Sequence, residues 1–409
     1  MPVNPERFRA IFDALTRAGA TPEGGLSRPA LSESHLEARE AFRILSLKHG
    51  LDFRVDEAGN HSAILACGEP DAPTLLIGSH LDSVPNGGRF DGTLGVAAAL
   101  EVILALRETG KARTVNLEAI DFTDEEGTWV SLMGSRAAAG LLTEEDLKSP
   151  RGHPEAFQEA LGRAGLTCAG ILRASRAGDL LAGYLELHIE QGSRLVDAGK
   201  DIGVVTGMVG IWMYRVVFHG RADHAGTSVM TDRLDAAQGA AAFCLAVRRT
   251  VLEQFPDCVA NVGRMVFSPG AFNIVPESVT TYMELRNQDP IRAQELENGL
   301  RAEAARSADA YGLGLEFVFQ ESVRPAAMDE ETCRIFEDSA KRLGHSHKRL
   351  PSLAGHDAQS MARLCPAGLI FTPSVDGCSH SPREFTRWQD CLQGAETLLG
   401  AAGALAGIG

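Results

Sequence analysis

The chain has 409 residues and a formal net charge of −15, from 39 Lys and Arg against 54 Asp and Glu. That length is enough for two domains, or for one large domain that carries an insertion. The acidic balance disfavours nucleic acid and anionic membrane surfaces as partners, because their phosphate groups would be repelled. An apolar share of 44% and a charged share of 23% are ordinary for a globular protein and exclude a mainly disordered chain.

The beginning of the chain does not have the pattern of a targeting signal. Residues 1–20 mix charged and apolar residues at helical spacing, which predicts an amphipathic helix. The apolar run at 96–106 is interrupted by Glu101 and is too short to cross a bilayer. The eight cysteines include no pair at CxxC spacing, which favours buried free thiols. We therefore expect a cytoplasmic protein without a membrane partner.

Apolar runs alternate with helical stretches through the first half of the chain. We predict a strand at 74–78, a buried helix at 93–106, and strands at 115–122 and 184–189. This order is typical of an α/β sheet whose strand carboxyl ends hold the functional site.

The pattern changes after residue 203. It predicts, in order, a strand at 204–218, a helix at 232–255, a strand at 278–286, a helix at 292–311 and a strand at 313–319. The α/β pattern resumes with a helix at 330–343, a strand at 368–372 and a helix after Arg387. We therefore predict a two-domain α/β fold, with one domain at 1–205 and 318–409 and an inserted α+β domain at 206–317.

Polar residues follow or end several predicted strands, or open a helix. They are His80, Asp91, Glu125, Glu126, His188 and His380. Imidazoles together with carboxylates form the mixed donor set that Zn²⁺, Mn²⁺ and Co²⁺ favour. One ion needs three or four such ligands, whereas five with a central carboxylate can hold two ions about 3.5–4 Å apart.

The local spacings are consistent with a metal site. The carboxylate of Asp82 could accept the free ring N–H of His80, which would set the tautomer of a metal-binding histidine. Asp91 could cap the buried helix and also bridge two ions. Glu125 and Glu126 would point to opposite sides of a strand end, so that one binds metal while the other acts as general base.

Each of these residues also has a plainer interpretation. A single histidine at a strand end is more often a hydrogen-bonded structural residue than a metal ligand. An isolated Glu-Glu pair is usually solvated surface, and Asp91 could be a helix cap alone. The order and the distances of the motifs taken together favour the metal site.

Seven segments, in one order along the chain, resemble the amidase/carbamoylase branch of the M20 metallopeptidase-like family. They are Gly78–Gly92, Asp124–Gly127, Leu187–Gly192, Asp223–Thr227, Phe272–Pro276, Gly355–Ala358 and Ser379–Pro382. That branch includes N-carbamoyl-L-amino acid hydrolases, allantoate amidohydrolases and β-ureidopropionases. The resemblance extends from about Gly25 to the final helix.

The resemblance implies an M20-type metallohydrolase: a mixed-sheet catalytic domain, with the insertion serving as lid and dimerisation domain. Two divalent ions would bind per subunit, zinc first, with manganese, cobalt and nickel as alternatives. The implied ligands are His80, Asp91, Glu126, His188 and His380, with Asp91 bridging. Glu125 would be the general base and proton shuttle, and Asp82 would support His80.

The resemblance also implies residues that handle the substrate. His224 would act across a homodimer interface and stabilise the oxyanion that forms during hydrolysis. The implied substrate contacts are Gln191, His224, Asn273, Arg286, Gly355 and His356. A guanidinium such as that of Arg286 suits a substrate carboxylate, although Arg286 could instead form a surface ion pair and Asn273 a turn.

The expected reaction is hydrolysis of a non-peptide C–N bond, with an N-carbamoyl-L-amino acid giving the amino acid, ammonia and carbon dioxide. Two apolar segments, 128–134 and 211–213, replace polar or cationic residues that are typical of the branch. If they line the pocket, a bulky apolar substrate fits better than allantoate; otherwise they pack within the lid.

Other functions remain open at this point. The same residues could cleave an N-acyl-L-amino acid or a dipeptide. A catalytically inactive dimeric binding protein is a second alternative, although it would have no use for the base Glu125. A nucleotide-binding oxidoreductase is disfavoured, because no GxGxxG motif follows the first strand.

Overall fold

Residues 2–408 are described by the computed structural model, and they form a mixed α/β fold. The strands are, in chain order, β1 (Asp52–Val55), β2 (His61–Leu65), β3 (Thr74–His80), β4 (Asn116–Phe122), β5 (Leu181–Ile189), β6 (Ile202–Met208), β7 (Gly210–His219), β8 (Asp223–His224), β9 (Val259–Ser268), β10 (Ile274–Val275), β11 (Ser278–Asn287), β12 (Gly314–Val323), β13 (Ala326–Ala327), β14 (His347–Ser352) and β15 (Ala367–Thr372).

The α-helices are interleaved with these strands. They are α1 (Pro5–Leu15), α2 (Glu33–Lys48), α3 (Thr93–Glu108), α4 (Met133–Ala138), α5 (Glu144–Lys148), α6 (Pro154–Arg163), α7 (Cys168–Arg173), α8 (Arg194–Ala198), α9 (Ala236–Gln254), α10 (Pro290–Ala310), α11 (Glu330–Leu343), α12 (Asp357–Met361) and α13 (Trp388–Leu405). No helix within residues 2–408 combines the length and the apolar character needed to cross a membrane.

Contacts divide the chain into two compact units. One comprises Met1–Gly207 with Ala327–Gly409, and the other comprises Met208–Ala326. Here they are called the outer-segment unit and the inserted unit. The prediction placed the corresponding boundaries at 205/206 and 317/318.

The outer-segment unit is built on a mixed sheet. Among the described residues it has nine strands, in the order β1-β2-β4-β3-β5-β15-β6-β13, with β14 also paired to β6. Strands β4, β3, β5 and β15 run parallel to one another. Because the carboxyl ends of parallel strands meet at one edge of a sheet, residues that end these strands lie near each other.

Helix α3 is buried on every side, as its continuous apolar sequence predicted. Gly95 allows close packing on the sheet, since a Cβ there would lie 2.5 Å from the carbonyl oxygen of Leu187 and 2.6 Å from the Cβ of Ser79. Glu101, the one charge in the apolar run, is fully buried, and its Oε2 lies 2.6 Å from Nε of Arg7. A buried charge is tolerated here because it is paired.

The inserted unit has its own sheet and core. Strands β12, β7, β11 and β9 form an antiparallel sheet in that order. Helices α9 and α10 pack on this sheet around a core that includes Phe218, Phe243, Leu296 and Leu300. The short strands β8 and β10 pair separately and place His224 beside Ile274.

Three features of the inserted unit differ from the sequence prediction. The strand predicted at 204–218 is two strands, β6 and β7, which are separated at Val209 and belong to different sheets. The predicted boundary at 317/318 falls inside β12, which pairs with β7 along its length. Strand β9 was not predicted, because its residues are mostly exposed and lack an apolar alternation.

The cysteines are free thiols, as expected, but only part of the set is buried. Cys258, Cys333 and Cys391 are buried, and the other five are partly exposed.

Candidate metal centre

The carboxyl edge of the parallel strands brings the predicted metal ligands together. His80 ends β3, and His188 lies one residue before the end of β5. The loop after β4 carries Glu125 and Glu126, and the segment after β15 carries His380. This convergence follows from parallel pairing, which aligns the ends of strands that are distant in sequence.

Asp91 lies between three histidines. Its Oδ1 is 3.1 Å from Nε2 of His188 and 3.6 Å from Nε2 of His80, and its Oδ2 is 3.3 Å from Nε2 of His380. The same nitrogen of His380 is 3.4 Å from Oε2 of Glu126. The two oxygens of one carboxylate therefore face different imidazoles.

Two groups of potential metal ligands share this carboxylate. One group is His80, Asp91 and His188, and the other is Asp91, Glu126 and His380; within each group the ligand atoms lie within 4.8 Å of one another. The first group is buried, whereas half of the His380 side chain is exposed to solvent. The centre is therefore accessible from the His380 side.

The hydrogen bonds of the two buried imidazoles fit a metal. Nδ1 of His80 is 3.0 Å from the carbonyl oxygen of Asp82, and Nδ1 of His188 is 3.0 Å from that of Ile189. A carbonyl oxygen can only accept, so in the neutral ring the proton is on Nδ1 and Nε2 keeps its lone pair. Nε2 of His80 and of His188 lie 3.6 and 3.1 Å from Oδ1 of Asp91, and Nε2 of His188 also accepts from the main-chain N–H of Gly92 at 3.2 Å. A cation between the rings and the carboxylate would stabilise this arrangement.

Unpartnered buried atoms also fit a metal. Among the described residues, Nε2 of His80 and Oε1 of Glu126 are buried and have no hydrogen-bond partner. Buried polar atoms are rarely left unpaired unless an ion or water satisfies them.

Electrostatics at the centre indicate excess negative charge. Burial and the nearby carboxylate of Asp91 raise the pKa of Glu126 to about 7. Burial also raises the pKa of Glu125 well above its ordinary value, and Asp357 adds to the effect. The hydrogen bond to Asp91 raises the pKa of His380 to about 9. A bound cation would oppose each of these shifts, because positive charge favours ionised carboxylates and disfavours a protonated imidazole.

Glu125 and Glu126 face the centre from different sides. Oε2 of Glu125 is 3.6 Å from Nε2 of His80, whereas Glu126 approaches His380. The two residues lie in an irregular loop after β4, where Asp124 has a positive φ of 58°. Both carboxylates thus reach one site, although they do not lie on the regular strand end that was predicted.

Asp82 contacts His80, as predicted, but through its main-chain carbonyl and not at hydrogen-bond distance through its carboxylate. The nearest oxygen of its carboxylate is 3.7 Å from Nδ1 of His80, and the contact to that ring comes from its main-chain carbonyl. The carboxylate instead accepts from the main-chain N–H groups of Glu125 and Glu126, at 3.3 and 3.2 Å. It therefore holds the loop that carries both glutamates, because it accepts from two consecutive main-chain N–H groups of that loop.

The side chain of Asp91 does not cap helix α3, contrary to prediction. The N-cap residue is Gly92, which has a positive φ of 60° and no side-chain cap bond. A Cβ at Gly92 would collide with the ring of His80. Glycine is required here both for the backbone conformation and for the approach of the imidazole.

Three predicted substrate contacts lie in the outer-segment unit. Nε2 of Gln191 donates to Oδ2 of Asp91 at 3.0 Å, so this amide belongs to the centre itself. His356 is buried, with Nε2 3.0 Å from Oγ of Ser352, and its ring centroid is 4.5 Å from that of His188. It packs behind a candidate ligand, while its neighbour Gly355 is exposed.

The other three predicted substrate contacts lie in the inserted unit. Nδ1 of His224 accepts from the main-chain N–H groups of Gly226 and Thr227, at 3.0 and 3.2 Å, so the neutral ring carries its proton on Nε2. The carbonyl oxygen of Asn273 accepts from the N–H of Ala225 at 3.0 Å, which places Asn273 beside His224. Arg286 is on β11, and its Nε donates to Oε1 of Glu284 at 2.9 Å.

The apolar segment 128–134 packs within the protein. The ring of Trp129 lies 5.6 Å from that of Phe157, and its Nε1 donates to the carbonyl oxygen of Ala30 at 3.0 Å. Val130 and Met133 are buried in the same cluster. These side chains therefore do not support the hypothesis of an apolar substrate pocket. Of the two apolar segments, only residues 211–213 on β7 could still line such a pocket.

Sequence reasoning missed several polar residues beside the centre. The carboxylate of Glu384 accepts from the N–H of Asp91 at 3.1 Å, and Ser379 precedes His380. Glu186 is buried two residues before His188, and its Oε2 accepts from the N–H of Ala358 at 2.9 Å. The sequence offered one sign of each residue: Glu384 follows the candidate ligand His380 by four residues, and Glu186 precedes the candidate ligand His188 by two.

The fold and the centre together define the class of a metal-dependent hydrolase. The sequence pattern of peptidase family M20/M25/M40 matches residues 76–404. The chain belongs to this family, whose members use divalent metal ions, and it is an amidohydrolase that acts on non-peptide C–N bonds.

Similar proteins carry related names. An N-carbamoyl-L-amino acid amidohydrolase from Geobacillus stearothermophilus is 34% identical over 398 residues, which are 97% of each chain. A ureidoglycolate hydrolase from Arabidopsis thaliana is 34% identical over 400 residues, covering 95% of this chain and 83% of its own. The crystal structure of an amidase of the hydantoinase/carbamoylase family from Burkholderia multivorans has a TM-score of 0.90 and 33% identity, and the match covers 99% of this chain and 98% of that one.

Proposed function

We propose that this protein is an N-carbamoyl-L-amino acid hydrolase. The observation that carries the proposal is the position of Asp91, whose two oxygens face His80 and His188 on one side and His380 on the other. The similarity to the N-carbamoyl-L-amino acid amidohydrolase from Geobacillus stearothermophilus supports a ureido compound as the substrate. Water and R–NH–CO–NH₂ would give R–NH₂, ammonia and carbon dioxide.

The residues fit two divalent ions, with zinc first and manganese, cobalt or nickel as alternatives. His80 and His188 would hold one ion, Glu126 and His380 would hold the other, and Asp91 would contact both. When bound, the ions would supply Lewis acidity that stabilises negative charge on the substrate oxygen.

Glu125 would move the proton. Its carboxylate lies at the edge of the centre, 3.6 Å from His80, in a buried environment that raises its pKa. A carboxylate of raised pKa is suited to accept a proton from the attacking water and then return it to the leaving nitrogen. Asp82 would hold the main chain of Glu125 in place during both transfers.

Ammonia release by the metal-reconstituted protein tests the substrate. The panel comprises N-carbamoyl-L-amino acids, β-ureidopropionate, allantoate and ureidoglycolate, with N-acetyl-L-amino acids assayed by amine release. We expect ammonia from the N-carbamoyl compounds, and Glu125→Gln should abolish it while the metal content stays unchanged. Turnover of ureidoglycolate alone, or of the N-acetyl compounds alone, would contradict the proposal and identify the alternative substrate.

We further propose a homodimer in which the inserted unit serves as lid and dimerisation domain and His224 acts in the partner's active site. The proton on Nε2 of His224 makes that atom a donor, as an oxyanion requires. Mixing His224→Ala with Glu125→Gln subunits should restore about a quarter of wild-type activity, because half of randomly formed dimers are mixed and each has one intact site. No recovery in proven mixed dimers would show that His224 acts within its own subunit or not at all.

A further inference from the structure

Glu384 joins two segments of the metal centre that are almost 300 residues apart in the chain. Its Oε1 accepts from the main-chain N–H of Phe90 at 2.9 Å and from that of Asp91 at 3.1 Å. Its Oε2 accepts from Oγ of Ser379 at 2.8 Å. The residue is only 5% exposed, so these bonds form away from bulk water, where they are strongest.

Ser379 lies between Glu384 and the carboxylate of Asp91. Its Oγ has one proton, which Glu384 accepts at the shorter distance, and Oγ lies 3.4 Å from Oδ2 of Asp91. Nε2 of Gln191 donates to the same hydroxyl at 3.3 Å. Through Ser379, Glu384 is hydrogen-bonded to the residue directly before His380.

The backbone at His380 requires external support. His380 has a positive φ of 52°, in the left-handed region that residues other than glycine adopt only at a cost. Such a conformation persists where surrounding contacts determine it, and the bond from Ser379 to Glu384 is such a contact one residue away.

Gly88 provides the space for this carboxylate. A Cβ at Gly88 would overlap the carboxyl carbon and both oxygens of Glu384. The absence of a side chain at Gly88 therefore lets the carboxylate of Glu384 approach the loop before Asp91.

We propose that Glu384 is a positioning residue that sets Asp91 and His380 at the spacing needed for the ion shared by Asp91, Glu126 and His380. It acts through the main chain of Asp91 and through the hydroxyl of Ser379. This inference rests on the metal centre of the proposed function.

The proposal is tested by isothermal titration calorimetry, in which Zn²⁺ alone is added to protein from which a chelator has removed the metal. We expect two ions to bind wild-type protein and Glu384→Ala to weaken one of them by about 10- to 100-fold, the usual effect of losing a partner of a metal ligand. Ser379→Ala should weaken the same ion by less, because the N–H bonds from Phe90 and Asp91 remain.

Asp329→Ala is the matched control. Oδ1 of Asp329 accepts from the N–H and the hydroxyl of Thr332, both at 2.8 Å, so it makes the same kinds of bond at the start of α11. Its loss should lower the unfolding temperature of the metal-free protein without changing either Zn²⁺ affinity.

Two further variants keep the test decisive if Glu384→Ala does not fold. Gly88→Ala should displace the carboxylate without removing it and give the same selective loss, and Glu384→Gln should give a smaller loss. Zn²⁺ affinities within about twofold of wild type in these folded variants would overturn the proposal. Failure of wild-type protein to bind Zn²⁺ would instead overturn the metal centre itself.

Discussion

The buried carboxylate on β4 and the carboxylates at the carboxyl edge of the same sheet have different electrostatic surroundings. On β4, Glu118 is buried, and both of its oxygens accept from Arg176, at 2.8 and 3.0 Å. Arg54 lies 3.1 Å away as a second guanidinium. Burial opposes the ionisation of Glu118, but the charges of Arg176 and Arg54 and the hydrogen bonds from Arg176 and Ser62 together outweigh it, and the pKa is lowered below its ordinary value.

At the carboxyl edge of the sheet, the balance is reversed. Glu126 is faced by the carboxylate of Asp91, and the groups that favour its ionisation are the imidazoles of His80 and His380. Its pKa is raised to about 7. The two pKa shifts are opposite because Glu118 faces two guanidinium groups, whereas Glu126 faces the carboxylate of Asp91. The guanidinium groups offset the charge of Glu118, whereas a bound cation would offset the charge of the carboxylates at the carboxyl edge.

The largest effect that would test this contrast is on metal content. Asp91→Asn should reduce bound metal, measured by atomic emission, and bring activity to the detection limit, because Asp91 belongs to both ligand groups. Glu118→Gln makes the same chemical change at the other group and should keep both metal ions. Loss of metal from both variants would contradict the contrast, because Glu118 would then also be needed for metal binding.

The next effect is on folding stability. Arg176→Ala should lower the free energy of unfolding by about 3–5 kcal/mol, since it leaves Glu118 buried with its main partner removed. Arg54→Ala should cost at most about 1 kcal/mol, because half of that side chain is exposed. Urea denaturation of both variants gives the two values, and equal losses would contradict the assignment of Arg176 as the principal partner.

A smaller effect of opposite sign is expected at the metal centre. In metal-free protein at pH 8, Glu126→Gln should raise the free energy of unfolding by about 1–3 kcal/mol, because it removes a charge that Asp91 repels and one pKa unit corresponds to about 1.4 kcal/mol. With Zn²⁺ present the order should reverse, since wild-type protein gains more from binding the ion. Thermal unfolding with and without chelator measures both, and a variant that is less stable in both states would refute the expectation.

The smallest expected effect is a pH dependence that belongs to Glu118. Its folded pKa lies below the ordinary 4.5, so the stability that it contributes is complete above pH 4.5 and is lost as the pH falls through the folded value. Glu118→Gln should remove that part of the acid dependence and leave the dependence above pH 4.5 unchanged. Matched denaturation curves from pH 6 to pH 3 would show it, and parallel curves for the two proteins would exclude it.

Much of the site was predictable because donor types and strand ends are local features. His80 and His188 end apolar runs, and parallel strands must bring such ends to one edge. Helix α11 was predicted near residues 330–343 and spans Glu330–Leu343, and its ends carry local signals, an Asp N-cap and a following glycine.

Other residues have partners that no local pattern specifies. Asp82 directs its carbonyl, and not its carboxylate, to His80, because its carboxylate meets a loop more than 40 residues away. Trp129 packs on Phe157 and not in a pocket, and the boundary of the inserted unit follows the pairing of β12 with β7. Each outcome depends on a contact between distant parts of the chain.

The sequence by itself determined the chemistry that is available at this site: three imidazoles and three carboxylates in a recognisable order, on an α/β framework. Tertiary structure decided how those groups are used. Only the packed sheet shows that Asp91 faces two ligand groups and that Glu384 holds its main chain. The physical reason is that the identity of a donor is local, whereas the field and the hydrogen bonds around it come from segments brought together by folding.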